Sequence, residues 1–309
     1  MSTVGWIGLG VMGLPMARVV AQAGHSVQAF DIDRRRLAAL ADDGVVPVTS
    51  AAEAAAGADV LTIMVATPEQ GESALFGAGG AAEGLGPGTV VLVMSTVGPA
   101  AVAEWEARLS GQGVPVVDAP VSGGVARAAT GELLIMVSGA PGPIEAVAPL
   151  LDAMSSTAPV VGNEPGDGQK LKLVNQLLCG VHIVAAAEAL VLAESMGLDV
   201  KNSWEVLRNG AAASFMFDDR GRRMVEASFD NPRSALDIFV KDMGLVVEAA
   251  QRSKAGSPLA QAAQSMFRAG AEAGYGRLDD SSVLLVYEEL LRQRAGQLAE
   301  GRPPRPGAQ

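Results

Sequence analysis

Gly8-Leu9-Gly10-Val11-Met12-Gly13 sets three glycines at G-x-G-x-x-G spacing, between an apolar run and a helical pattern. That arrangement suits the pyrophosphate of a dinucleotide. Gly8 permits the tight turn, Gly10 lets the backbone approach the phosphates, and Gly13 lets the helix pack closely on the strand. The helix then aims its unpaired N–H groups at the phosphates. Asp31 ends the next apolar run, 18 positions after Gly13. A carboxylate there can accept hydrogen bonds from ribose hydroxyls and repel a 2′-phosphate, so NAD is expected in preference to NADP. Arg34, Arg35 and Arg36 would favour the phosphate, and are read as a solvated helix face.

Two further stretches carry polar groups in unusual places. Ser122-Gly123-Gly124, in DAPVSGG, offers a hydroxyl and several unobstructed N–H groups, which suit a small carboxylate. It reads equally well as another glycine loop. GDGQKLKLVNQLL, 166 to 178, puts Lys172, Asn175 and Gln176 at the mouth of an apolar helix. Gln176 lies four residues after Lys172 and shares its helical face, and Asn175 lies three after it. Lys170 points elsewhere and reads as a surface lysine. His25 and His182 have no partner at recognisable spacing, and no metal cluster is expected.

These residues need a scaffold. Thr3 to Ile7, Ser26 to Phe30, Val60 to Val65, Val90 to Met94, Val114 to Val117 and Leu133 to Val137 read as strands, with helical patterns at Met12 to Ala23 and Asp33 to Ala41. Unbroken apolar runs alternating with helices indicate parallel strands covered on both faces, a doubly wound α/β sheet. From about residue 166 the strand signals stop. Helical periods follow at 168–196, 202–209, 215–227, 234–254, 258–273 and 279–295. The expected fold class is therefore an N-terminal Rossmann-type domain over 1–163 and an all-helical domain over 164–297, joined by a long helix. Residues 298–309, rich in Pro, Gly and Arg, read as a disordered tail.

With 309 residues, 49% of them hydrophobic, the chain can bury two domain cores. A formal net charge of −11 argues against nucleic acid and anionic membrane partners. The single cysteine, Cys179, cannot form an intrachain disulfide and reads as a small core residue; this fits a reducing cytoplasm. MSTVGWIGLG has no basic region before its apolar run and reads as a strand, not a signal peptide. The longest apolar stretch, 177 to 197, contains His182, Glu188 and Glu194 and reads as a buried helix, not a membrane span.

Four blocks, WIGLGVMGLPMA (6–17), DAPVSGG (118–124), GDGQKLKLVNQ (166–176) and FVKDMGL (239–245), resemble the signature blocks of the β-hydroxyacid dehydrogenases. That family includes 3-hydroxyisobutyrate dehydrogenase and tartronate semialdehyde reductase. The resemblance covers nearly the whole chain. LLCGVHIVAAAEALVLAESMGL, SFMFDDRGRRMV and NPRSALDIFVKDMGLV are most similar to the branch that oxidises L-threonate.

The resemblance implies a homodimeric or homotetrameric enzyme that oxidises a small anionic hydroxy acid. Lys172 would be the general acid/base, taking the hydroxyl proton if a desolvated site or nearby positive charge lowers its pKa. Ser122, Gly123 and Gly124 would hold the substrate carboxylate, and Asn175 or Gln176 the rest of the substrate. Many family members have asparagine at the position of Gln176, so the pocket differs from theirs. Thr96 would lie near the nicotinamide, Val65, Ala66 and Thr67 would line its ribose, and Lys241 would help close the cofactor site, oriented by Asp242. Asp218, Asp219 and Arg220 are candidates for the outer hydroxyls of a sugar acid. The alternatives are a 3-hydroxyisobutyrate dehydrogenase, a tartronate semialdehyde reductase, an imine reductase and a non-catalytic dinucleotide-binding module.

Overall fold

The computed structural model describes residues 1–40 and 43–300, with side chains described as far as residue 293. The chain divides into two compact units, Met1–Asn175 and Gln176–Gln309.

Among its described residues the first unit has eleven strands: β1 (Thr3–Ile7), β2 (Ser26–Phe30), β3 (Val46–Pro47), β4 (Val60–Ile63), β5 (Val90–Val93), β6 (Val116–Asp118), β7 (Val121–Ser122), β8 (Leu133–Ile135), β9 (Val137–Ser138), β10 (Ser155–Thr157) and β11 (Val160–Gly162). Between them run helices α1 (Gly13–Gln22), α2 (Arg34–Ala38), α3 (Ala51–Ala55), α4 (Pro68–Phe76), α5 (Pro99–Ser110), α6 (Gly124–Thr130) and α7 (Pro141–Met154). The main sheet is ordered β11-β9-β6-β5-β4-β1-β2-β3. From β6 to β3 every neighbouring pair is parallel. This is the doubly wound order, reversing direction between β1 and β4, where ligands of such sheets bind beyond the carboxyl ends of the strands.

The sequence dictates the two faces. Successive residues of a strand point to opposite sides. Val60 and Leu92 accordingly join a core with Trp6, Met16 and Leu150, while Leu61, Val91 and Val93 join another with Leu75 and Trp105. Both β4 and β5 are buried along their full length, as their unbroken apolar runs predict.

The run 133–137 is not one strand. Leu133–Ile135 belongs to a small sheet ordered β10-β8-β7, and Val137–Ser138 to the main sheet. Both halves nevertheless keep one antiparallel register with 118–122: Asp118 opposes Ser138, and Val121 opposes Ile135. Pro120, which has no N–H to give, sits at the break, and its carbonyl accepts from Met136 N–H at 3.0 Å. An apolar run reports burial, not which sheet buries it.

Helix α8 (Asp167–Ser195) leaves the first unit and enters the second. Among the described residues it is the one helix long and apolar enough to cross a membrane, and half of its most apolar window is buried inside the structure. The second unit continues with α9 (Val200–Leu207), α10 (Phe215–Val225), α11 (Leu236–Arg252), α12 (Pro258–Glu272) and α13 (Leu284–Glu300). Asp199 and Ser214 cap α9 and α10 through their side chains, and Pro258 opens α12. The expected tail falls mainly on residues 301–309, which lie outside the described residues.

Candidate active site

The glycine turn has the geometry its spacing predicts. Gly8 adopts φ +96°, in the left-handed region, and a side chain there would meet the Met64 carbonyl at 2.3 Å. A Cβ on Gly13 would lie 2.1 Å from the Gly8 carbonyl oxygen, so α1 can pack against β1 only without one. Gly10 is different. A Cβ there would meet nothing nearer than Arg36 Nη1 at 3.7 Å, leaving its backbone open to a ligand. Leu9 is buried, while Val11 is 55% exposed beside it and Met12 stands at the N-cap of α1. The open Gly10 backbone fits a dinucleotide pyrophosphate.

Asp31 closes the turn from the end of β2. It is buried, and its Oδ2 accepts the Leu9 N–H at 2.6 Å while Oδ1 accepts the Asp33 N–H at 2.7 Å. The three arginines do not behave alike. Arg35 is exposed and paired with Asp33 at 2.9 Å, as a solvated residue should be. Arg36 is not simply solvated: its Nη1 stands 3.4 Å from Asp31 Oδ2 and its Nε 3.8 Å from Asp33 Oδ2. Two aspartates draw it back over the turn.

The loops after β4 and β5 are tied together. Ser95 Oγ accepts the Val65 N–H at 2.7 Å and donates to the Ile63 carbonyl. Ala66 N–H donates to Gln70, and Thr67 caps α4 through its hydroxyl, so the Val65–Thr67 loop is held in one shape. Thr96 follows Ser95 and is half-buried.

After β6 the chain turns through Ser122, Gly123 and Gly124 at the start of α6. Gly123 and Gly124 take φ of +135° and +73°, which side chains disfavour. Ser122 Oγ donates to Asn175 Oδ1 at 3.4 Å, joining this loop to α8. Lys172, one turn earlier on α8, is 6% exposed, whereas Lys170 is exposed and paired with Asp167 at 2.6 Å. The two lysines of this stretch therefore separate as their spacing predicts.

Asp118 and Gln169 were not among the expected site residues, yet both are fully buried and sit under this arrangement. Asp118 Oδ2 accepts N–H groups of Gly166 and Gln169, and its Oδ1 accepts the Gln169 amide. Burial pushes the Asp118 carboxyl up to about 6, although hydrogen bonds from Gln169, Gly166 and Ser138 favour its ionised form. One signal was present: a carboxylate ending the apolar run VPVVD must find partners.

In the second unit Gln176 is buried and donates to Asp242 Oδ2 at 2.5 Å. Lys241 Nζ stands 3.0 Å from Asp242 Oδ1, and Asp242 is 2% exposed, so this is not a surface ion pair. Phe239 stacks on Phe267 at 5.1 Å within the core, and Phe215 is exposed. Cys179 is half-buried. Asp218, Asp219 and Arg220 are already engaged with other residues of the chain. Asp218 pairs with Arg208. Arg220 grips Asp280 through two nitrogens at 2.9 and 3.0 Å and also holds Asp219. Arg223 joins Asp219 to Asp279. Among the described residues, no three His, Cys, Asp or Glu side chains converge as a metal site.

A parallel sheet with an open glycine turn at its switch point, followed by an all-helical region, has the architecture of a dinucleotide-binding protein. Comparison with known families agrees. Residues 3–162 match the NAD binding domain of 6-phosphogluconate dehydrogenase, and residues 166–287 match the NAD-binding region of NADP-dependent 3-hydroxyisobutyrate dehydrogenase. The chain is 41% identical to L-threonate dehydrogenase of Escherichia coli, over 93% of its own length and 95% of the relative's. It is 42% identical to L-threonate dehydrogenase of Cupriavidus necator, over 92% and 95%. A crystal structure of 3-hydroxyisobutyrate dehydrogenase from Salmonella typhimurium superposes with a TM-score of 0.87 at 39% identity, covering 92% of this chain and 99% of that one. The chain belongs to the β-hydroxyacid dehydrogenase family, NAD(P)-dependent enzymes that act on CH–OH groups, as the four sequence blocks implied.

Proposed function

We propose that this enzyme oxidises L-threonate or a related four-carbon sugar acid with NAD, using Lys172 as general acid/base. The observation that carries the reading is the burial of Lys172, a residue type mostly found exposed, on a helix tied through Asn175 to the Ser122 loop. The bound nicotinamide supplies the hydride acceptor. The backbone of Gly8–Gly13 would hold the pyrophosphate, and Asp31 the adenosine ribose. Val65, Ala66, Thr67, Thr96 and Lys241 would surround the nicotinamide end. Ser122 with the N–H groups of Gly123 and Gly124 would fix the carboxylate, and Asn175 and Gln176 would orient the substrate. Lys172 Nζ would then take the proton of the carbinol hydroxyl and return it in the reverse reaction.

The substrate rests on the relatives named L-threonate dehydrogenase, at 37–42% identity over nearly the whole chain. Lys172 favours hydroxy-acid oxidation over imine reduction or a silent dinucleotide-binding role. The negative net charge and single cysteine support a cytoplasmic enzyme without nucleic acid or membrane partners. The apolar character of the C-terminal helices supports a homodimer or homotetramer. We assign 1–163 to cofactor binding and 164–297 to substrate binding and assembly.

Initial rates of NADH formation with L-threonate, D-erythronate, 3-hydroxyisobutyrate, D-glycerate and L-serine test this, with NADP in parallel. L-threonate with NAD should be fastest. Lys172→Ala should lower kcat by about 10²- to 10⁴-fold, the usual share of general acid–base catalysis. Full turnover by Lys172→Ala would remove the assigned mechanism.

A further inference from the structure

Three residues at the start of the segment that carries Lys172, Gly166, Gly168 and Gln169, donate their backbone N–H groups to distant side chains. A helix start exposes unpaired N–H groups that a nearby capping side chain normally satisfies. Here Gly166 and Gln169 donate their N–H groups to Asp118 Oδ2, at 3.0 and 2.8 Å, and Gly168 donates to Ser138 Oγ at 2.9 Å. Ser138 Oγ in turn donates to Asp118 Oδ2 at 3.3 Å. Asp118 and Ser138 face each other across β6 and β9, so the start of α8 is seated on the carboxyl end of one strand and its antiparallel neighbour.

Gln169 extends the seat sideways. Its Nε2 donates to Asp118 Oδ1 at 2.7 Å and to the Ser95 carbonyl at 3.0 Å. Its Oε1 accepts the N–H groups of Val97 and Gly98, both at 2.9 Å. Both amide protons and the carbonyl oxygen are used, and a flipped amide would set N–H against N–H on one side and oxygen against oxygen on the other. The fit is also tight in space. A Cβ on Gly168 would lie 2.5 Å from the Met136 carbonyl oxygen and 2.9 Å from Asp118 Oδ2.

We propose that Asp118 and Gln169 are positioning residues of the reaction, locking Lys172 and Asn175 in register with the Thr96 loop and the Ser122 loop. The inference rests on the reading of Lys172 as general acid/base. Lys172 is three residues beyond Gln169, on the adjoining turn of the same helix. Gln169 fixes the helix to the residues flanking Thr96, and Asp118 begins the DAPVSGG loop that carries Ser122. A proton acceptor works only within hydrogen-bond reach of its proton, and a displacement of 1 Å is enough to lose about 10²-fold in rate.

The test compares Asp118→Asn and Gln169→Glu with the native enzyme and with Lys172→Ala. Asp118→Asn puts a donor where four groups donate, and Gln169→Glu puts an acceptor against Asp118 and the Ser95 carbonyl. Each should lower kcat by about 10²-fold with the fastest hydroxy acid of the panel, while the dissociation constant for NADH, read by fluorescence, moves less than about threefold. In the double variant Asp118→Asn/Lys172→Ala the rate should equal that of Lys172→Ala alone, because the carboxylate acts through the lysine. Ser138→Ala carries the same comparison, with a smaller loss, if either buried substitution prevents folding. Folded variants that retain kcat within about threefold, or a loss that recurs in full without Lys172, would overturn the proposal. Full turnover by Lys172→Ala would instead remove the mechanism on which it rests.

Discussion

Leu9 N–H donates to Asp31 Oδ2 at 2.6 Å, so one buried carboxylate at the end of β2 holds the glycine turn at the end of β1. Arg36 Nη1 reaches the same oxygen at 3.4 Å. Asp31 thus shapes the turn and restrains a guanidinium, and in the proposed function it would face the cofactor ribose. Replacing Asp31 by Asn keeps an acceptor for Leu9 but removes the charge that restrains Arg36. NADH binding should weaken by about tenfold, equivalent to 1.4 kcal/mol, while the ratio of NADPH to NADH affinity rises. Fluorescence titration of both cofactors against Asp31→Asn checks this; an unchanged ratio would exclude Asp31 as the discriminating group.

Gly10 and Gly13 should fail in different ways. At Gly13 a methyl group would press on the Gly8 carbonyl, which is backbone and cannot step aside. Gly13→Ala should lose at least about 1–3 kcal/mol of stability. At Gly10 the nearest atom is the end of a flexible arginine, at 3.7 Å. Gly10→Ala should fold with near-native thermal stability and bind NADH at least about tenfold more weakly, because in the proposed site the methyl group would occupy the approach to the pyrophosphate. Paired thermal melts and NADH titrations separate the two effects.

These relationships show what a sequence carries openly. Strands β1 and β2 begin and end where their apolar runs do, because Gly8 and Asp31 terminate them. Short edge strands such as Val46–Pro47 and Val121–Ser122 left no signal, since two residues cannot show a period. The glycine turn and the contrast between Lys170 and Lys172 could be read from local spacing. Asp118 with Gln169 could not, because the partners lie 51 positions apart and only the sheet order brings them together. The same limit applies to Asp219 and Arg220. They suited a sugar acid by type, but in the fold Arg220 pairs with Asp280, and Asp219 pairs with Arg220 and Arg223.

The Asp118 carboxyl should leave a mark on the pH dependence of stability. Burial raises it from 3.8 to about 6. Between those values the folded chain holds a proton that the unfolded chain has released. The group therefore favours folding most below pH 4, and that contribution is lost as pH rises through 6. A shift of about two pH units corresponds to about 3 kcal/mol. Urea unfolding of native enzyme and Asp118→Asn at successive pH values should show the native stability falling relative to the variant from pH 4 to 6, then levelling. A constant difference across that range would mean that the carboxyl titrates at its ordinary value.

The second unit offers a contrast between buried and exposed ion pairs. Arg220 side-chain exposure is 10% and that of Asp280 is zero, with two hydrogen bonds between them. Removing Asp280 leaves the buried Arg220 charge with Asp219 alone, and the loss then exceeds what the intact pair contributes. Asp280→Ala should lower the unfolding free energy by about 3–5 kcal/mol. Lys170 and Asp167 also lie 2.6 Å apart, but the lysine is 67% exposed and water replaces its partner readily. Lys170→Ala should cost less than about 1 kcal/mol and leave kcat unchanged, two residues away from Lys172. Denaturant titrations of both variants measure the difference. Equal losses would show that the Arg220 cluster is hydrated in solution, which would restore it as a group able to meet a polar substrate.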